Sequence, residues 1–369
     1  MVILSRVSPN FRGLIFNNLL LNSLQFDSFY FYKFGRYALL SGLVVLGLKK
    51  GDSIIVPAYM CNSTIAPLRK YGFQLIFIDI DKSLCLPVSI IEKTIRDQKS
   101  VKALLCVHYF GLTKNIDKIV GICRKYDVKV VEDASHSCLS QFSRELSDIK
   151  GDIEIFSMRK SFPVADGGAL RISNDYLIKR ENVKCLSMVN EIKYLMVRMI
   201  EKTAVAFGVN IYGKLINIVK NKLRNRAINN NVNLHTETCQ ASWQLKRYLN
   251  NDKYLEEAQY AIICHFNQLN YAFSQLGFRL FVKSVEEGVT PQACVVYDEK
   301  GGLVEYLRLN GIGAWRWPGE EVPKEIIRHS NQYPNTIFFD ESLVLIPVHQ
   351  SLSNKQIDYI IQVFSKWKL

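Results

Sequence analysis

The chain has no pair of cysteines in C-x-x-C spacing: its nine cysteines, at 61, 85, 106, 123, 138, 185, 239, 264 and 294, are odd in number and scattered. That pattern disfavours both a disulfide framework and a zinc site, and fits a reducing cytoplasm. No run of about 18 apolar residues occurs, and the start MVILSRVSPNFRG lacks a basic head followed by an apolar stretch, so a soluble chain is expected. The phosphate-loop pattern G-x-x-x-x-G-K-[ST], the dinucleotide pattern G-x-G-x-x-G after a strand and the nucleophile elbow G-x-S-x-G are all missing; GIG at 311–313 stands alone. Walker-type, Rossmann-type and serine-hydrolase chemistry fall away with them. Internal repeats and low-complexity segments are absent too.

Acidic residues are scarce relative to basic ones, 34 against 47, for a formal charge of +13. Such a charge attracts nucleic acid, an anionic membrane surface or a phosphorylated small molecule alike. No helix-turn-helix, zinc-finger or RNA-recognition signature accompanies it, so no nucleic-acid partner is expected. Much of the charge sits in the Gly- and Pro-poor stretch 175–228, which reads as helices joining two domains. Its basic face is read as solvated or packed on a partner subunit, in preference to lying on a membrane.

With 369 residues, 48% of them hydrophobic, the chain can build one large core and a smaller one. Short Val/Ile/Leu-rich runs alternate with amphipathic segments: SIIVP (53–57), QLIFIDI (74–80), KALLCVHY (102–109), VKVVED (128–133), IEIFSM (153–158) and GALRIS (168–173). That rhythm predicts an α/β class, with a mostly parallel sheet flanked by helices. The large domain is expected over 1–228, including the basic connector from about 175, and a smaller C-terminal α/β domain over 229–369.

Ligands of such sheets sit outside the carboxyl ends of the strands, so polar residues just after the runs come first. VEDASHS (131–137) places Asp133 and His136 there; the carboxylate could hold a protonated ring nitrogen or simply cap the next helix. VHYFG (107–111) offers His108, more often a packed residue than a ligand. FGRYAL (34–39) sets Gly35 before a helical run, where free amides can cradle a phosphate. FSMRKSFPVADGGALRIS (156–173) carries Lys160, which by itself reads as a solvated turn residue.

Taken in order, VPAYMC, FIDID, VHYFG, VEDASHS and GDIEIFSMRKSFPVADGGAL resemble the DegT-type sugar aminotransferases, pyridoxal-phosphate-dependent enzymes of fold type I. The resemblance spans nearly the whole chain. It implies that Asp133 pairs with the pyridine nitrogen, that His136 lies near the cofactor ring, and that Lys160, seven residues before the first glycine of a Gly-Gly pair, carries the cofactor. Ser157 and the Gly35-Arg36 pair match the phosphate-holding positions, and Tyr59 the aromatic that stacks on the ring. Asn233, in NVNLHTETCQASWQL, would reach the cofactor of a neighbouring subunit. The implied assembly is a homodimer with shared active sites, and no metal is implied.

The chain departs from the family pattern at four points. Arg36 replaces a small hydroxyl residue, and His235 an arginine. Two residues separate Ser157 from Lys160 where many members have four. Cys61 stands where members often place the stacking aromatic. The implied activity is transfer of an amino group from an amino acid, glutamate or glutamine, to a keto sugar, expected to be nucleotide-linked, in surface-polysaccharide or secondary-metabolite biosynthesis. Arg36, Arg159 and Arg316 are candidate contacts for its phosphates. The rivals are a dehydratase relative, disfavoured because such members tend to replace the lysine by histidine, a transaminase with another acceptor, and a non-catalytic binding or scaffold protein of the same fold.

Overall fold

The computed structural model describes residues 3–4, 7, 29–112, 116–142, 150–165, 167–172, 192, 196, 241–319 and 322–367. Its main feature is a seven-stranded sheet in the order β1-β7-β6-β5-β4-β2-β3. The strands are β1 (Phe29–Tyr32), β2 (Ser53–Pro57), β3 (Gln74–Ile78), β4 (Val101–Val107), β5 (Lys129–Asp133), β6 (Ile153–Ser157) and β7 (Gly168–Ile172). All neighbouring pairs from β3 through to β6 are parallel, and β7 runs antiparallel to both β6 and β1. The six expected strands are all present, ending within two residues of the sequence reading. β1 was not foreseen, because FYFY is an aromatic run with no polar alternation to read.

Helices α1 (Gly35–Val45), α2 (Asn62–Tyr71), α3 (Val88–Asp97), α4 (Asp117–Lys125) and α5 (Cys138–Phe142) lie between the strands. α2 stops where Gly72, at φ 107°, takes the left-handed conformation that a side chain would resist. α3 and α4 each turn one apolar stripe inward, Ile91 and Ile95 on the first and Ile119, Val120 and Cys123 on the second. Among the described residues no helix is long and apolar enough to cross a membrane, and every described cysteine is a free thiol.

The C-terminal part holds α6 (Trp243–Leu249), the long α7 (Asp252–Gln275), β8 (Ala293–Tyr297), α8 (Leu303–Leu309), α9 (Lys324–Arg328), α10 (Pro334–Ser342), β9 (Leu343–Pro347) and α11 (Asn354–Ser365). β8 and β9 form a second, two-stranded antiparallel sheet. α7 buries Ala258, Ile262, Phe266, Leu269 and Phe273 at helical spacing, and Phe273 stacks on Phe364 of α11 at 3.9 Å between centroids. The expected boundary near 228 and the basic stretch lie outside the described residues, apart from the exposed Ile192 and Met196.

Inside the main sheet, one cross-strand row carries Cys106, Glu132, Glu154, Arg171 and Phe29. Arg171 donates through Nη2 to Glu154 Oε2 at 2.5 Å and spreads its guanidinium over Phe29 and Phe156. A buried charge needs such pairing, because leaving its partner alone costs several kcal/mol.

A carboxylate ties α10 to the end of β3. Asp79, just past β3, accepts from Thr336 N and Thr336 Oγ1 through Oδ1, and from Asn335 N through Oδ2. It therefore caps α10 from across the molecule, satisfying amides the helix leaves open. Asp79→Ala should lower the free energy of unfolding by about 2 kcal/mol. Asp79→Asn, which keeps an acceptor, should lose less; urea denaturation of the three proteins measures both.

Candidate active site

Lys160, Asp133, His136, Ser157 and Gly35 all sit at the carboxyl edge of the central strands. Asp133 is the last residue of β5, and Ser157 the last of β6. Lys160 ends the single 3₁₀ turn Met158–Lys160 that follows β6. Gly35 opens α1.

Two glycines bring these pieces together. Gly167, at φ 119°, donates through its N–H to Lys33 O at 3.1 Å, and its carbonyl accepts from Met158 N at 2.7 Å. A Cβ on Gly168 would lie 2.2 Å from the carbonyl carbon of Phe34, so only glycine lets β7 pass under the start of α1. Gly35 in turn backs onto β6: a Cβ there would lie 2.9 Å from Phe156 O and 3.5 Å from Ser157 Cβ.

At this end α1 has no side-chain cap, since its N-cap residue is Phe34. Its open amides make an anion-favouring spot. Three cations gather on the Phe34 ring: Arg36 at 4.4 Å, Arg159 at 5.3 Å and Lys33 at 5.7 Å from the centroid.

Asp133 is buried, and its Oδ1 accepts from Ser135 N at 2.9 Å. The chain then turns so that His136 Nδ1 accepts from Phe110 N at 3.3 Å. An accepting Nδ1 puts the ring proton of the neutral imidazole on Nε2. Burial, and then the charge of Lys160, hold the His136 pKa well below its ordinary value, so the ring is neutral at pH 7. Phe110 lies parallel to the ring at 6.2 Å, and Trp317 meets it edge-on at 4.8 Å.

His108 belongs to the frame. It is buried, with Nε2 2.9 Å from Glu132 Oε2, while Glu132 Oε1 accepts from Lys150 N and Gly151 N. Burial pushes the Glu132 carboxyl up, but His108 and the two amides outweigh it and hold the carboxyl below its ordinary value. His349 is structural as well, with Nε2 2.9 Å from Leu4 O and Nδ1 2.9 Å from Ser351 Oγ.

Two expectations do not fit this packing. Tyr59 is fully buried, donates its hydroxyl to Trp317 O, and has Tyr109, Phe110, Trp317 and Phe339 around its ring. It has no face left to stack on a ligand. Arg316 donates to Asp298 Oδ2 at 2.7 Å and to Glu341 O, which leaves it a brace and no anion contact. Asn233 and His235 lie outside the described residues.

The sequence reading did not find Asp340. Its Oδ1 accepts from Gly319 N at 2.8 Å and so holds the loop that carries Trp317. Burial raises its pKa to about 6, opposed by the Gly319 amide and Arg316. A raised carboxyl pKa favours the protonated folded state, so the stability that this proton adds is present below pH 4 and disappears as pH rises through about 6. Asp340→Asn keeps an acceptor and removes the titration. Wild type should therefore lose up to about 2 kcal/mol relative to Asp340→Asn between pH 4 and pH 7.5, read from unfolding curves at each pH.

The same α/β fold is found in solved structures. A DegT DnrJ EryC1 StrS aminotransferase from Brucella abortus superposes with a TM-score of 0.63, at 18% identity, covering 91% of this chain and 84% of its own. The Escherichia coli GDP-4-keto-6-deoxy-D-mannose-3-dehydratase, solved with bound hydrated PLP, gives 0.59 at 18% identity, covering 92% and 88%. Residues 34–211 match the model of the DegT/DnrJ/EryC1/StrS aminotransferase family, and the resemblance read from the motifs is shown for that segment. Among curated relatives, GDP-perosamine synthase of Escherichia coli O157:H7 is 30% identical over 144 residues, 38% of this chain and 39% of its own length. GDP-4-keto-6-deoxy-D-mannose 3-dehydratase of Escherichia coli O55:H7 is 34% identical over 126 residues, 33% and 32%. The matches thus span about a third to two fifths of these relatives.

Proposed function

We propose that the chain is a pyridoxal-phosphate-dependent aminotransferase that moves an amino group from an amino acid, glutamate or glutamine, to a keto sugar, nucleotide-linked as in the relatives' names. The observation that carries this reading is the convergence of a buried carboxylate, a neutral histidine, a lysine and an open helix N-terminus at one sheet edge.

These residues fit the cofactor. The approach of α1 to β6 at Gly35 leaves no room for a side chain, and the helix amides, Ser157, Arg36 and Arg159 can hold a phosphate there. Asp133 can pair with the pyridine nitrogen and keep its proton on, and His136 can donate from Nε2 to the ring oxygen. Bound pyridoxal phosphate supplies the electron-withdrawing ring that the reaction needs. Lys160 Nζ would carry the cofactor between turnovers and move the proton at the substrate carbon during them. A cytoplasmic homodimer with shared sites, to which Asn233 contributes, belongs to the same proposal, and the retained Lys160 favours transamination over dehydration.

The purified protein should be yellow with pyridoxal phosphate, and borohydride should fix the cofactor on Lys160. Lys160→Ala should lose the trapped adduct, and its amino transfer from glutamate to a panel of keto-sugar nucleotides should fall by about 10³-fold or more. A colourless wild type that binds no cofactor would favour the scaffold reading instead.

A further inference from the structure

On the cofactor reading above, we propose that Trp317, carried by the C-terminal part of the chain, is the aromatic wall of the cofactor pocket, in place of an aromatic at residue 61. Among the described residues, neither position 59 nor position 61 offers a ring for that task. Cys61 presents a thiol engaged with the hydroxyls of Ser63 at 3.2 Å and Thr64 at 3.1 Å, and Tyr59 is enclosed. Two rings lie against His136 among the described residues. Phe110 is 1% exposed and lies parallel to the histidine, whereas Trp317 is half-buried.

The loop that carries Trp317 is held at successive residues. Trp315 bridges to Leu345 through Trp315 N to Leu345 O at 3.1 Å and Leu345 N to Trp315 O at 2.9 Å. Arg316 is braced by Asp298, the Trp317 carbonyl accepts from Tyr59, and Gly319 N donates to Asp340. Packed edge-on against Tyr59, Tyr109 and Phe110 as well as His136, the indole is set in one orientation. Such a fixed ring loses little freedom on meeting a ligand. An indole face is also the best of the aromatic surfaces for a ring that carries positive charge, which a pyridine protonated against Asp133 does.

Cofactor titration followed by tryptophan fluorescence tests this. The chain has four tryptophans, at 243, 315, 317 and 367. Binding should quench the emission of wild type and of Trp367→Phe alike, and Trp317→Phe should lose most of that quenching. Trp317→Ala should bind the cofactor about fivefold more weakly, while Trp367→Phe binds as wild type does. A variant in which Trp317 alone is kept, the other three being phenylalanine, should be quenched, so the test survives poor folding of Trp317→Ala. Unchanged quenching in Trp317→Phe, or no quenching when Trp317 stands alone, would overturn the inference while leaving cofactor binding intact. A wild type that binds no cofactor would overturn the functional reading and this inference with it.

Discussion

The candidate site depends on one close backbone crossing, that of Gly167 and Gly168 beneath Lys33, Phe34 and Gly35. Without side chains there, the start of β7 lies against the start of α1, and the 3₁₀ turn bearing Lys160 hangs from the same glycine through Met158 N. A methyl group at Gly168 would meet backbone atoms, which cannot rotate aside as a side chain can. The crossing thus fixes the distance between an anion-favouring helix end and an amine, the two features that the proposed cofactor needs at opposite ends.

β5 carries a second constraint. Adjacent residues of a strand face opposite sides of the sheet, so Glu132 and Asp133 put two buried carboxylates on two faces. Glu132 is satisfied by His108 and two amides, and the His108 amide donates to the carbonyl of Asp133. The strand end is therefore pinned from the Glu132 side, which leaves the Asp133 carboxylate to the ligand side. One further buried carboxylate in the same row, Glu154, is matched by Arg171. The partners outweigh burial at Glu132, whereas at Glu154 burial wins over Arg171 and raises the carboxyl to about 7.

Strands β2 to β7 and the residues at their ends were legible because each signal is local: an apolar run, then a polar residue or glycine. What could not be read depends on contacts between distant residues. Tyr59 looks like a ligand-facing aromatic until Trp317, 258 positions away, is seen to accept its hydroxyl. Arg316 looks like a free cation until Asp298 and the Glu341 carbonyl are found beside it. Asp79 lies in the FIDID segment without showing there what it binds, and Asp340 lies in no motif; their roles as cap and loop anchor exist only once α10 lies against the sheet.

Two of the departures from the family pattern meet at a single ring. Arg36 stands where a small hydroxyl residue is usual, and the shortened turn places Arg159 immediately before Lys160; both guanidinium groups lie over Phe34. A hydroxyl at residue 36 would supply one neutral hydrogen bond to an anion, whereas a guanidinium offers several donors and a full charge. Phe34, the uncapped N-cap residue of α1, is the surface that holds both cations at the helix end.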